Sequence, residues 1–194
     1  CARQRWRAQR DAGKLNEFRE AWSSACDVRR GGVVRVHVLD DDEPARRDET
    51  PTRQIYTDGS KRANKNASAV HAGWAAVTLD LCATRRGERC HVEAAICGRV
   101  ATAKSDTAYD GATRKTNNTA ELTGLLRAVQ QELARDDDSA VEMCVDSMYA
   151  INVATGKWKI CKNGDLARRL QRALAELRRR RPVRLSHVRS HTRV

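Results

Sequence analysis

Ile55-Tyr56-Thr57-Asp58-Gly59-Ser60 is the stretch from which the fold follows. Arg53 to Thr57 favours β structure, and a period-2 reading puts Tyr56 and Asp58 on one face with Ile55 and Thr57 on the other. Gly59-Ser60 reads as the break that ends this strand, leaving Asp58 as a carboxylate delivered to a turn. An aspartate there has an ordinary use, bonding its own turn backbone. Chemistry requires other carboxylates to reach the same place.

Two later segments carry such carboxylates. Ala140 to Asp146 alternates Val141, Met143 and Val145 with Glu142, Cys144 and Asp146, so a second strand ends in Asp followed by Ser. Between the two, Leu122, Leu125, Leu126, Val129 and Leu133 fall on one stripe of a helix predicted from Thr119 to about Arg135. Asn118 reads as its N-cap and Glu121 as N3, which leaves two readings open for Glu121. It closes a capping box, or it points from the first turn at the end of the first strand, beside Asp58.

The remaining segments fill in the architecture. Ala72 to Leu81 reads as a buried strand, Arg85 to Glu88 as a turn and His91 to Ala101 as a third strand, so the first three strands form an antiparallel meander. Ser147 to Gly156 continues as a helix with Tyr149 near its start, and Leu166, Leu170, Leu174 and Leu177 mark another that stops at Pro182. The Arg178 to Arg181 run at its end is read equally as a solvated helix terminus or as a phosphate contact. Lys157-Trp158-Lys159, Lys162 and Asn163 make a basic loop with an aromatic, of the kind that lines a nucleic-acid groove. Val183 to Val188 is a last strand. His187 and His191 have no further ligands to complete a zinc site, so His191 stands as a polar loop residue and candidate catalytic group.

Upstream, residues 2 to 25 read as a basic amphipathic helix with Leu15, Phe18 and Trp22 on one side, and Val33 to Leu39 as a short strand. Asp40 to Thr52 reads as an acidic linker. The expected organisation is an N-terminal extension and linker over 1–52 and one domain over 53–194. The extension is either a nucleic-acid-contacting arm or a solvated tether.

With 37 Lys+Arg against 25 Asp+Glu, the formal charge of +12 favours a polyanionic partner, nucleic acid before an anionic membrane. No apolar run approaches the about 18 residues of a membrane span, and the start carries no signal-peptide core. Seven scattered cysteines without a C-x-x-C pair read as free thiols in a reducing compartment. The Cys90, His91 and Cys97 group lacks the paired spacing of structural zinc. An intracellular, soluble protein is expected, cytoplasmic or nuclear.

Five motifs now stand in order: Tyr56-Thr57-Asp58-Gly59-Ser60; Thr116-Asn117-Asn118 followed by Ala120-Glu121; Asp146-Ser147-Met148-Tyr149; Asn163-Gly164-Asp165-Leu166; and Ser186-His187-Val188 leading to Ser190-His191. In these the chain from about Gln54 to Val194 resembles a type 1 ribonuclease H domain. The resemblance implies an α/β fold with a five-stranded mixed sheet, three antiparallel strands then two parallel, and helices on both faces. It implies an endonuclease that hydrolyses the RNA strand of RNA/DNA hybrids with two Mg2+ ions, for which Mn2+ substitutes. By the same resemblance Asp58, Glu121 and Asp146 hold the metals, and His191 assists product release or proton transfer. Asn117 and Asn118 meet the minor groove, Tyr149 and Trp158 line the DNA-strand channel, and Arg114, Thr116 and Asn163 hold a DNA phosphate.

One departure accompanies the resemblance. The family pattern continues after the loop histidine with a Gly-Asn turn and a helix bearing a fourth carboxylate, whereas this sequence reaches Val194 first. The expectation is a monomeric domain lacking its last helix, weak or inactive as a nuclease, and a piece of a longer polypeptide. Asp110 and Asp165 are the alternatives for a fourth ligand. Two other functions stay open: a catalytically impaired hybrid-binding module, and the RNase H domain of a retroelement polyprotein.

Overall fold

The computed structural model describes residues 33–38, 51–63, 70–84, 87–160 and 162–192. The amphipathic segment 2 to 25 and the acidic stretch up to residue 50 lie outside the described residues. Among those described, the strands are β1 (Val33–Val38), β2 (Arg53–Ala63), β3 (Val70–Thr84), β4 (Gly87–Arg99), β5 (Val141–Val145) and β6 (Val183–Thr192). The helices are α1 (Asn117–Leu133), α2 (Met148–Ala154) and α3 (Gly164–Arg180).

The strands form one sheet in the order β1-β6-β5-β2-β3-β4. β2, β3 and β4 make the expected antiparallel meander, and β5 and β6 run parallel to β2 and to each other. The five predicted strands thus form the predicted mixed sheet. A sixth, β1, is added at the far edge, antiparallel to β6, from Val33 opposite Thr192 to Val38 opposite Ser186. The segment read as a strand from Val33 therefore joins the sheet, which draws one strand from the leading part of the chain.

All three described helices pack on one face, where the resemblance implies helices on both. Leu122, Leu125, Leu126 and Val129 of α1, Ile151 and Val153 of α2, and Leu166, Leu170 and Leu174 of α3 share a core with Ile55, Met143 and Leu185 of the sheet. The opposite face carries Tyr56, Val77, Leu79, Cys144 and Val188. Alternation therefore sorts Ile55 and Tyr56 to opposite faces as the period-2 reading requires. Cutting back Leu122, Leu125 or Leu126, each fully buried, costs about 2–5 kcal/mol.

Four further expectations are corrected. Gly59-Ser60 does not end β2, which continues to Ala63 because its backbone stays paired with β3. What ends there is the ladder to β5, whose last pair is Thr57 with Val145. His191 is not a loop residue, since β6 extends through Thr192 against β1; its side chain lies outside the described residues. The N-cap of α1 is Thr116 and not Asn118, with Thr119 at N3 completing the capping box. Finally, Arg181 is neither solvated nor offered to phosphate: it is 1% exposed and paired with Glu132 and Asp137.

Candidate active site

Because β2 and β5 are parallel and in register, the residues just beyond their last shared pair, Asp58 and Asp146, emerge side by side at the same end of the sheet. Carboxyl ends of parallel strands are where open α/β sheets gather ligand groups. The turn after β5 is held by Ser147, which caps α2 by accepting from the Ala150 N–H at 3.2 Å. From the β6 side, His187 Nε2 lies 3.1 Å from the Asp146 carbonyl oxygen. His187 pairs with Val145 in the ladder, a placement that spacing alone does not reveal.

Glu121 arrives from the helix layer. The capping box made by Thr116 and Thr119 fixes where α1 begins, with the Thr119 N–H donating to Thr116 Oγ1 at 3.1 Å and the Thr116 N–H to Thr119 Oγ1 at 2.8 Å. Glu121 is two residues past N3, so its carboxylate has no capping work. It accepts instead from the backbone N–H of Gly59. Its Oε2 is buried without a hydrogen-bond partner.

One ligand oxygen from each of Asp58, Glu121 and Asp146 lies within 4.8 Å of the others. The electrostatics of that grouping fall on the most buried member. Burial, then the charges of Asp146 and Asp58, push the Glu121 carboxyl up to about 9. Three converging carboxylates with an unsatisfied buried oxygen fit a cation, and an all-oxygen set suits a hard one such as magnesium or manganese. Asp110 and Asp165 lie elsewhere: Asp110 pairs with Arg127 at 2.8 Å and Asp165 with Arg168 at 2.6 Å. Among the described residues the grouping comprises the three carboxylates alone.

The other expected site residues lie at helix starts and in the adjoining loops. Asn117 and Asn118 open α1, exposed, one turn before Glu121. Arg114 is exposed, and its carbonyl accepts from the Thr119 hydroxyl at 2.8 Å. The Thr116 hydroxyl is committed to the cap. Asn163 sits at φ 57°, ψ 40°, a left-handed conformation that Asn tolerates. Its Oδ1 accepts from the Thr113 N–H at 3.1 Å and the Thr113 hydroxyl at 2.9 Å. That tie brings the loop before α1 onto the start of α3, where Gly111 (φ 103°) leaves no room for a Cβ against Leu166. Tyr149 and Trp158 meet edge to face with ring centroids 6.2 Å apart, and Trp158 is 50% exposed. Sequence reasoning missed Gly59, Thr119 and His187 as supports of the cluster; the T-x-x-T spacing of the cap was the one available signal.

A mixed sheet of this order, with helices laid on it and carboxylates gathered beyond its parallel strands, is the RNase H-like fold. The RNase H family matches residues 51–194, and the chain belongs to that family. A comparison with curated proteins found no match. Solved structures similar to it include RNase H1 from the archaeon Halobacterium salinarum, at 23% identity and TM-score 0.44, covering 71% of this chain and 85% of that one. LC11-RNase H1 in complex with an RNA/DNA hybrid is similar at 19% identity and TM-score 0.43, covering 69% and 83%. The protease-reverse transcriptase of prototype foamy virus is similar at 14% identity and TM-score 0.49 over 76% of this chain, which spans only 19% of that longer chain. Among the described residues no helix is long and apolar enough to cross a membrane, and exposed Cys97 and buried Cys144 are free thiols.

Proposed function

We propose that the chain is an endonuclease that hydrolyses the RNA strand of RNA/DNA hybrids, using magnesium held by Asp58, Glu121 and Asp146. The observation that carries this reading is the convergence of those carboxylates within 4.8 Å from a strand, a helix and a strand end. Membership of the RNase H family supports the substrate class. Bound magnesium supplies activation of a water nucleophile and neutralisation of charge at the scissile phosphate.

The chain's own residues do the rest. Asp58 and Asp146, half-buried, present charge to the entrance of the site, while buried Glu121 gives up its proton when the site is loaded. Asn117 and Asn118 project from the exposed start of α1, where amides reach the minor-groove edges and 2′-hydroxyls of a hybrid. Tyr149 and Trp158 offer a paired aromatic wall to the DNA strand, with Lys157, Lys159 and Lys162 around it. Arg114 and Asn163 flank the tied loop as phosphate contacts, and His191 serves product release or proton transfer. Residues 53–194 form the catalytic unit, and 1–52 an extension.

The test is cleavage of an end-labelled RNA/DNA hybrid beside matched RNA and DNA duplexes, in magnesium and in chelator. The expected result is metal-dependent cleavage of the RNA strand of the hybrid alone. Binding of the hybrid without any cleavage in magnesium would instead favour a binding module.

A further inference from the structure

At the end of the sheet opposite the carboxylates, a second charged group takes no part in the site yet joins the elements that carry it. Glu132, fully buried in the last turn of α1, accepts from Arg53 Nη2 at 3.1 Å and from Arg181 Nη1 at 3.0 Å. Asp137, in the loop that leads to β5, accepts from the same two guanidinium groups at 2.6 and 3.0 Å. Arg181 also donates to the carbonyl oxygens of Asp137 and Arg135. Arg53 opens β2, Arg181 precedes β6, and Arg53, Val141 and Val183 are in-register neighbours across β2, β5 and β6. Taking this many ions out of water is a poor route to stability, because apolar residues of equal volume do as well or better.

Geometry supplies another use. Glu121 precedes Glu132 by eleven residues of α1, about 16 Å at the helical rise of about 1.5 Å per residue. Asp58 follows Arg53 by five residues of β2, again about 16 Å at the strand rise of about 3.3 Å. Asp146 lies the same five residues beyond Val141 on β5. Elements of equal span, clasped at one end, stand level at the other.

We propose that Arg53, Glu132 and Arg181 are positioning residues that set the axial register of α1 against β2 and β5, and thereby the spacing of Asp58, Glu121 and Asp146. The proposal rests on the metal-dependent reading of that cluster. The forked guanidinium groups are suited to it, since each spans two acceptors at fixed angles where an ammonium offers a point charge.

The experiment uses the full chain, Mn2+ alone as the binding probe by calorimetry, thermal melting, and hybrid cleavage. Arg53→Lys keeps the charge and gives up the fork. Its Mn2+ affinity is expected to fall about tenfold, the lower end of what losing a supporting contact costs a metal site. Cleavage falls by the same factor at limiting metal and recovers at saturation. The combined Arg53→Met, Glu132→Leu, Arg181→Met variant is expected to melt no lower than the parent and still bind Mn2+ more weakly, which separates register from stability. If that variant does not fold, Arg53→Lys and Arg181→Lys decide. Folded variants with parental Mn2+ affinity, while the parent binds metal and cleaves hybrid, overturn this inference alone. A parent that binds no Mn2+ overturns the functional reading and this inference with it.

Discussion

Gly59 donates its backbone N–H to the carboxylate of Glu121, and no side chain fits between the two elements that make this contact. A Cβ at Gly59 would fall 2.5 Å from the Ala120 carbonyl carbon and 2.8 Å from the Ala120 Cβ. The glycine is there for room and not for backbone conformation. Gly59→Ala is expected to push the first turns of α1 off β2, at about 1–3 kcal/mol for overpacking. Thermal melting should register that loss, and calorimetry a weaker Mn2+ affinity. A variant with unchanged melting and affinity would show that the helix relaxes freely.

Asp58→Asn is expected to abolish hybrid cleavage while leaving hybrid binding near the parental level. The amide keeps the shape of the side chain but removes the negative charge that a hard dication requires. Cleavage and binding of one labelled hybrid, measured on the same protein, give the answer; parental cleavage would remove Asp58 from the metal site.

Glu121→Gln should change how stability depends on pH. In the metal-free protein Glu121 titrates near 9 against an ordinary 4.5, so over that window the native state holds a proton that the unfolded chain has released. The stabilisation is complete below 4.5 and is lost as pH rises toward 9. Gln carries no such proton, so the variant should lack this downward slope and gain on the parent as pH rises. In the parent, metal uptake must expel the proton, so Mn2+ affinity should rise with pH and calorimetry in buffers of different ionisation heat should detect its release. A pH-independent difference between the two proteins would contradict the assignment. Since Glu121 lies beyond the capping positions, the same variant should lose cleavage.

Two substitutions in the loop after α2 should separate charge from contact. Hybrid affinity is expected to fall steeply with salt for a chain of charge +12, and Lys162→Ala should reduce the log-log slope by about 0.9 if the lysine neutralises a phosphate. Trp158→Ala should weaken binding by roughly 1 kcal/mol through lost aromatic contact while leaving the slope alone. Binding isotherms across a salt series measure both, and a slope change in the tryptophan variant would reassign its role.

Much of this arrangement was legible because local patterns record it. Period 2 in Arg53 to Asp58 and Val141 to Asp146, and the leucine stripe of α1, gave the elements that bear the three carboxylates. The misreadings have a common cause. Gly59 reads as a strand break because the glycine's local meaning is a turn, whereas its partner is a helix reached about sixty residues later. Asn118 is a good cap on intrinsic preference, and only the reciprocal bond between Thr116 and Thr119 puts the cap two residues earlier. Arg181 looked like one more exposed arginine in a run, since nothing local announces partners at Glu132 and Asp137. β1 was legible as a strand but not as part of the sheet, because strand pairing is a long-range property.

The matched spans of α1 and β2 bear on how this chain can change in length. One residue inserted between Glu121 and Glu132 would turn one carboxylate about 100° relative to the other and lift it about 1.5 Å. One inserted between Arg53 and Asp58 would send the aspartate to the opposite face. A change of length inside either segment is therefore expected to separate the carboxylates, whereas substitutions that keep its length leave their spacing intact.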